Sequence, residues 1–140
     1  MSIKLPLGYQ PTDTEPFMND VMKEYFRQKL LAWRDELLRE SGATLSHLQQ
    51  EGGAQEADLA DRATTETDRA LELRTRDRER KLIAKIDAAL ERIVEGNYGY
   101  CEETGEPIGV RRLDARPIAT MSIEAQERHE RLERTHRDET

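Results

Sequence analysis

Cysteine is almost absent from this 140-residue chain, and the single one, Cys101, cannot form an internal disulfide. That fits a reducing cytoplasm, where the protein is expected to reside. Aromatic residues make up only 5% of the sequence against 36% charged ones, a balance that suits long exposed helices better than a large compact core. No apolar run approaches the length needed to span a bilayer. The N-terminal stretch, broken by Pro6, Pro11 and Pro16, has no apolar centre of the kind a secretion signal carries. There is no glycine-rich phosphate loop, no internal repeat, and no meaningful Ser-His-Asp order among three scattered histidines (His47, His129 and His136), which read as surface residues. The net charge of −7 disfavours general binding to DNA or RNA through phosphate neutralisation.

What the chain does have is helical periodicity. Residues 1–17 read as an extended, proline-punctuated lead-in. A helix is expected to start near Asn19, a good N-cap followed by Asp20 in the first turn. Met22, Phe26, Leu30, Trp33 and Leu37 form an apolar stripe at helical spacing. Leu45 and Leu48 extend it past Gly42, which weakens the helix by roughly 1 kcal/mol relative to alanine. Gly52 and Gly53 stop it. Asp58 or Asp61 can cap a second helix from near Arg62, with Leu82, Ile83, Ile86, Leu90, Ile93 and Val94 as its dense apolar portion and Gly96–Asn97 as its stop. Two helices of about 30 residues, each roughly 45–50 Å long, then make an antiparallel hairpin.

The expected fold is therefore mainly α. A long antiparallel coiled-coil hairpin over residues 18–97, with its tip at 52–63, projects from a small base over 98–140. In the base, Tyr98, Tyr100, Ile108 and Val110 alternate around a Thr-Gly-Glu-Pro turn, as in a small β-hairpin. A last helix, about 122–138, starts at Ser122 with Glu124 in its first turn.

Three features bear on function. Cys101, Thr104, Ser122 and Ala125 occupy the corners of a C-x2-C…C-x2-C frame with a 17-residue spacer, a spacing that ordinarily holds zinc on four thiolates. Only Cys101 supplies a sulfur; hydroxyls are poor zinc ligands and alanine offers none. The fold is expected to survive without zinc at a vacated site, the other possibility being substitute ligands such as His129 with Glu102 or Glu103. Secondly, Arg74, Arg78, Lys81 and Lys85 share one helical face. Arg78 and Lys85 have no acidic neighbour three or four residues away, whereas Lys81 has Asp77 and Arg76 has Glu72. The face is either a solvated charged surface, or paired with acids on the first helix, or a site for an anion. Thirdly, DLADRA from Asp58 to Ala63 puts two carboxylates at the hairpin tip, for helix capping or for reaching a metal or a basic partner surface.

DLADRA, the segment LELRTRDRERKLI from Leu71 to Ile83, and YGYCEETGEPIGVRRLDARP from Tyr98 to Pro117 together closely resemble the DksA/TraR family of bacterial RNA polymerase-binding regulators. The lead-in from Gly8 to Pro16 and LAWR from Leu31 to Arg34 fit as well, so the resemblance covers nearly the whole chain. It implies a monomeric, non-enzymatic regulator that inserts its coiled-coil tip into the secondary channel of RNA polymerase. Such a regulator modulates initiation together with ppGpp in the stringent response, without binding DNA. By the same resemblance Asp61 and Ala63, with Asp58 beside them, are tip residues near the polymerase active centre. Arg74, Arg78, Leu82, Lys85 and Arg116 are positions near the alarmone site. Two departures stand out. The zinc cysteines are reduced to Cys101, which points to the zinc-independent class. A commonly basic position after the last cysteine is Gln126, with Arg128 nearby. A Gre-like factor delivering metal for transcript cleavage, and a structural module dimerising through Leu30, Trp33 and Leu37, are the alternatives.

Overall fold

A computed structural model describes the backbone of residues 3–52 and 59–139, and the side chains of 3–42 and 63–136. Four helices follow one another: α1 (Asp20–Gly52), α2 (Leu59–Glu95), α3 (Val110–Ala115) and α4 (Ile123–Glu139). The described chain divides into two compact units, Met1–Leu30 with Ala88–Thr140, and Leu31–Asp87.

Both expected N-caps of the first unit form. The Asn19 side-chain oxygen accepts the Met22 N–H at 2.8 Å, and the Ser122 hydroxyl oxygen accepts the Ala125 N–H at 3.2 Å. Each satisfies one of the donors that a helix start leaves free. The stripe on α1 turns inward as its period requires, with Met22, Phe26 and Leu30 wholly buried. They share the first unit's core with Ala89, Tyr98, Ile108, Val110, Leu113, Ile118 and Ala125. Phe26 packs against Tyr98 at 5.6 Å between ring centroids. Burial pushes the Tyr98 hydroxyl well above its usual pKa, against the opposing charge of Arg92. It donates to the Pro117 carbonyl at 2.8 Å, which satisfies a buried polar group that would otherwise be costly.

α2 ends where glycine was expected to end it. Gly96 takes a positive φ of 90°, and the N–H groups of Gly96, Asn97 and Tyr98 all point at the Arg92 carbonyl, at 2.9, 3.1 and 3.2 Å. The chain then reverses around Gly105. Cys101 N–H donates to Glu106, Gly105 N–H to Cys101, and Ile108 N–H to Gly99, each at 2.8 Å. The expected hairpin is present in reduced form, as the single antiparallel bridge Tyr100–Pro107. Its ladder stops at the open end, where Gly99 and Gly109 leave the extended region with φ of 92° and 106°, and on the other side at the turn around Gly105. Val110, expected as a strand residue, instead opens α3, a short helix that the alternating pattern did not foretell.

In the second unit, Leu37 and Ile86 are buried and Arg34 pairs with Asp87 at 2.6 Å, joining the antiparallel helices α1 and α2. Trp33, Leu82 and Ile83 are half-buried. α2 begins at Leu59 rather than near Arg62, since Leu59 and Ala60 are strong helix formers. Asp61 therefore lies inside the helix and is not its cap, while Asp58 lies outside the described residues. Val94, expected in the apolar stripe of α2, is instead 86% exposed. Its place in the helix turns it off the face that carries Ile86 and Ala89.

Candidate functional site

The resemblance singles out three regions. At the tip, the side chains of Asp58 and Asp61 lie outside the described residues, as does the connection between α1 and α2. Ala63, the first tip residue with a described side chain, is exposed and lines a shallow groove with Glu66, Thr67, Ala70, Leu71 and Arg74. A small side chain there leaves the helix surface open to close approach.

The second region is the basic face of α2. Arg74, Arg78, Lys81 and Lys85 are all exposed, on one side of a continuous helix, with Leu82 half-buried beside them. Among the described residues none of the four cations makes an ion pair or a hydrogen bond, and the expected Asp77–Lys81 pair is not formed. On α1, Asp35 is engaged within its own helix by Arg39 at 3.7 Å. Like charges stacked along a helix repel one another by a few tenths of a kcal/mol per pair. An anion lying along such a face would relieve that repulsion and meet several donors at once.

The third region holds Arg116 and the metal frame, both in the first unit. Arg116 directly follows α3. Its N–H donates to Arg112 at 2.7 Å and its carbonyl accepts from Ala119 at 3.0 Å, while its guanidinium is exposed and without a partner among the described residues. The frame brings Cys101, Thr104 and Ser122 together. Burial pushes the Cys101 thiol pKa up, but hydrogen bonds from the Thr104 side chain and from the N–H groups of Ser122, Thr104 and Glu103 outweigh it, so the pKa falls to about 7. No sequence pattern had pointed to a lowered pKa there. The residues do not fit zinc. Ser122 spends its hydroxyl oxygen on the α4 cap, the Thr104 hydroxyl oxygen accepts the Glu106 N–H at 3.3 Å, and Ala125 contributes a buried methyl group. One thiolate is three donors short of a structural zinc site. Among the described residues no group of three or more His, Cys, Asp or Glu side chains could hold a metal ion. Hydrogen bonds hold the frame together: Glu102 N–H reaches the Thr120 carbonyl at 2.9 Å, and the Arg112 Nε–H reaches that of Met121 at 2.9 Å.

A cluster that sequence reading missed lies beside α3. Lys29 Nζ donates to the Asp114 carboxylate at 2.6 Å and to its backbone carbonyl at 2.7 Å, and the Tyr25 hydroxyl donates to the same carboxylate at 2.6 Å. These bonds hold the Asp114 carboxyl below the usual carboxylate range, against the opposing effect of burial. Tyr25 and Lys29 lie 89 and 85 residues from Asp114 in sequence, so no local pattern could reveal the cluster.

Two family models match the chain. The N-terminal domain of DnaK suppressor protein DksA covers residues 22–93, and the prokaryotic dksA/traR C4-type zinc finger covers 96–131, although one of the four cysteines is all that this segment retains. The RNA polymerase-binding transcription factor DksA of Caulobacter vibrioides is 71% identical over 131 residues, covering 94% of this chain and 92% of the relative. The protein of that name from Escherichia coli K12 is 46% identical over 116 residues, covering 83% and 76%. The structure of transcription factor DksA2 from Pseudomonas aeruginosa superposes with a TM-score of 0.79 at 45% identity, covering 89% of this chain and 94% of the other. Over its helical hairpin and its cysteine-poor finger alike, the chain belongs to the DksA/TraR family.

Proposed function

We propose that the protein is a non-enzymatic regulator of transcription that binds bacterial RNA polymerase and, with ppGpp, modulates initiation. The observation that carries this reading is the 71% identity, over 94% of the chain, to a relative named as an RNA polymerase-binding transcription factor. The cations of α2, without a partner among the described residues, support an anionic ligand, and the net charge of −7 argues against DNA as that ligand.

In this reading the monomeric protein places its hairpin tip in the secondary channel of the polymerase, with Asp58, Asp61 and Ala63 nearest the active centre. Arg74, Arg78, Leu82, Lys85 and Arg116 face the alarmone at the junction with polymerase. The tip can shift the promoter-complex equilibrium only if it contacts two states of that complex differently. The anion adds to that bias by tightening the regulator on one of them. The frame around Cys101 then acts as a scaffold that works without zinc, in the cytoplasm where polymerase is found. In vitro transcription from a ribosomal RNA promoter, with and without ppGpp and a zinc chelator, tests it. The expected result is inhibition that ppGpp deepens and the chelator leaves alone. Unchanged transcription in the presence of the protein would overturn the reading.

A further inference from the structure

α3 spans six residues, Val110–Ala115, and begins at Gly109 with no side-chain cap. A helix that short is not stable by itself. Its far end is held from α1. Lys29 Nζ satisfies the backbone carbonyl of Asp114, one of the acceptors that a helix end leaves free, and sits where the helix dipole favours a cation. The Tyr25 hydroxyl and Lys29 Nζ converge on one carboxylate oxygen of Asp114. Tyr25 is itself fixed by the edge-on ring of Tyr9 at 5.9 Å and that of Phe26 at 5.1 Å, and Tyr9 is tied to Glu15 at 2.8 Å. Two residues beyond Asp114 stands Arg116, its backbone bonded on both sides and followed by the buried Pro117, whose carbonyl receives Tyr98.

The contrast between backbone and side chain gives this arrangement its meaning. Among the described residues the guanidinium has no partner, but the chain that carries it is held at Asp114 by α1, at its own N–H by α3 and at Pro117 by Tyr98. The Lys29–Asp114 pair is itself over a third exposed on both partners, so it contributes little to global stability. The core of Met22, Phe26 and Leu113 supplies that stability. What the pair does fix is where the chain leaves α3.

We propose that Lys29, acting through Asp114, is a positioning residue that presents the Arg116 guanidinium to an anionic phosphate ligand. The inference rests on the reading of Arg116 as an alarmone-facing residue. Ordering a long cationic side chain on its ligand costs less when its backbone is already placed, and the difference appears as affinity.

The test uses the full chain with Lys29→Met, Asp114→Asn, Arg116→Ala and the double variant Lys29→Met/Arg116→Ala. Three quantities are read: the ppGpp concentration giving half-maximal effect on a ribosomal RNA promoter, the affinity for polymerase without ppGpp, and 15N relaxation of the Arg116 and Ala119 amides in the free protein. Lys29→Met is expected to raise the half-maximal ppGpp concentration by about 3- to 10-fold. It should loosen the Arg116 amide on the ps–ns scale, and leave polymerase affinity and Tm near wild type. Asp114→Asn should act in the same direction, and the double variant should be no worse than Arg116→Ala alone. If Arg116→Ala loses the response while Lys29→Met keeps it, the positioning role is overturned and the alarmone reading of Arg116 stands. If Arg116→Ala itself keeps the response, that reading falls and the proposal with it. A parallel fall of Tm, polymerase affinity and ppGpp response in Lys29→Met and Asp114→Asn would make the pair structural and overturn the proposal as well.

Discussion

The Ser122 hydroxyl oxygen accepts the Ala125 N–H at 3.2 Å, so two corners of a metal frame are joined by a helix N-cap. The spacing that once suited thiolates now suits a cap, because the position three residues after an N-cap is where a free helix donor lies. Reintroducing the sulfurs should reverse the exchange. The triple variant Thr104→Cys/Ser122→Cys/Ala125→Cys is expected to bind one zinc per chain by elemental analysis and to lose Tm on chelation. A triple variant that purifies free of zinc would show that the frame has lost its metal geometry along with its donors. Ser122→Ala alone should cost about 1 kcal/mol in urea denaturation.

Cys101 sets a pH dependence. Its pKa in the folded protein is lowered to about 7 from an ordinary 9.0 by the hydrogen bonds around the sulfur, which outweigh its burial. A lowered folded pKa stabilises above the unfolded value and is lost as pH falls through the folded one. Wild type should therefore gain stability relative to Cys101→Ser between pH 7 and 9, by at most ~3 kcal/mol. Thermal melts of both proteins across that window give the difference directly, and parallel curves would mean the thiolate is not favoured in the fold.

Gly99 cannot be replaced quietly. Its φ of 92° is one that side chains avoid, and a β-carbon there would meet Met18 at 3.1 Å and Phe17 at 3.2 Å. Gly99→Ala is expected to destabilise the first unit by about 1–3 kcal/mol, read from the urea midpoint. A midpoint within error of wild type would mean that Met18, itself at a positive φ of 54°, gives way without cost.

Two substitutions bear on function. Asp61→Asn should abolish inhibition of a ribosomal RNA promoter while leaving polymerase affinity largely intact; full inhibition by the variant would remove Asp61 from the mechanism. Arg78→Glu should weaken the ppGpp effect by about 10- to 100-fold, as expected for losing a charge-assisted contact, with inhibition in the absence of ppGpp preserved. An unchanged ppGpp titration would rule out that role.

Much of the architecture was legible because it is periodic or punctuated. Met22, Phe26 and Leu30 repeat at helical spacing, Asn19 and Ser122 are good caps, and Gly96 is a good stop, so these elements announce themselves locally. α3 did not, since six residues show no period and its apolar Val110 and Leu113 fit other patterns as well. The Lys29–Asp114 contact and the lowered Cys101 pKa were illegible for another reason. Both depend on how folding aims particular donors, the second on the Thr104 hydroxyl first and then on backbone N–H groups that carry no residue identity. The basic face of α2 was legible as a pattern, but whether Asp77 would neutralise Lys81 was a question only the side-chain geometry could answer.

Helix α2 carries one more consequence. Toward its C-terminal end it buries Ile86 and Ala89 completely, while earlier along it Leu71 and Leu73 are about half exposed and the buried Glu79 leaves one carboxylate oxygen without a partner. A single uninterrupted helix thus has an oily end and a salty end. Its amides should keep two kinds of time in hydrogen exchange, slow around Ile86 and far faster around Ala70. Deuterium would enter the helix as a front from one end, well before the other had begun to open.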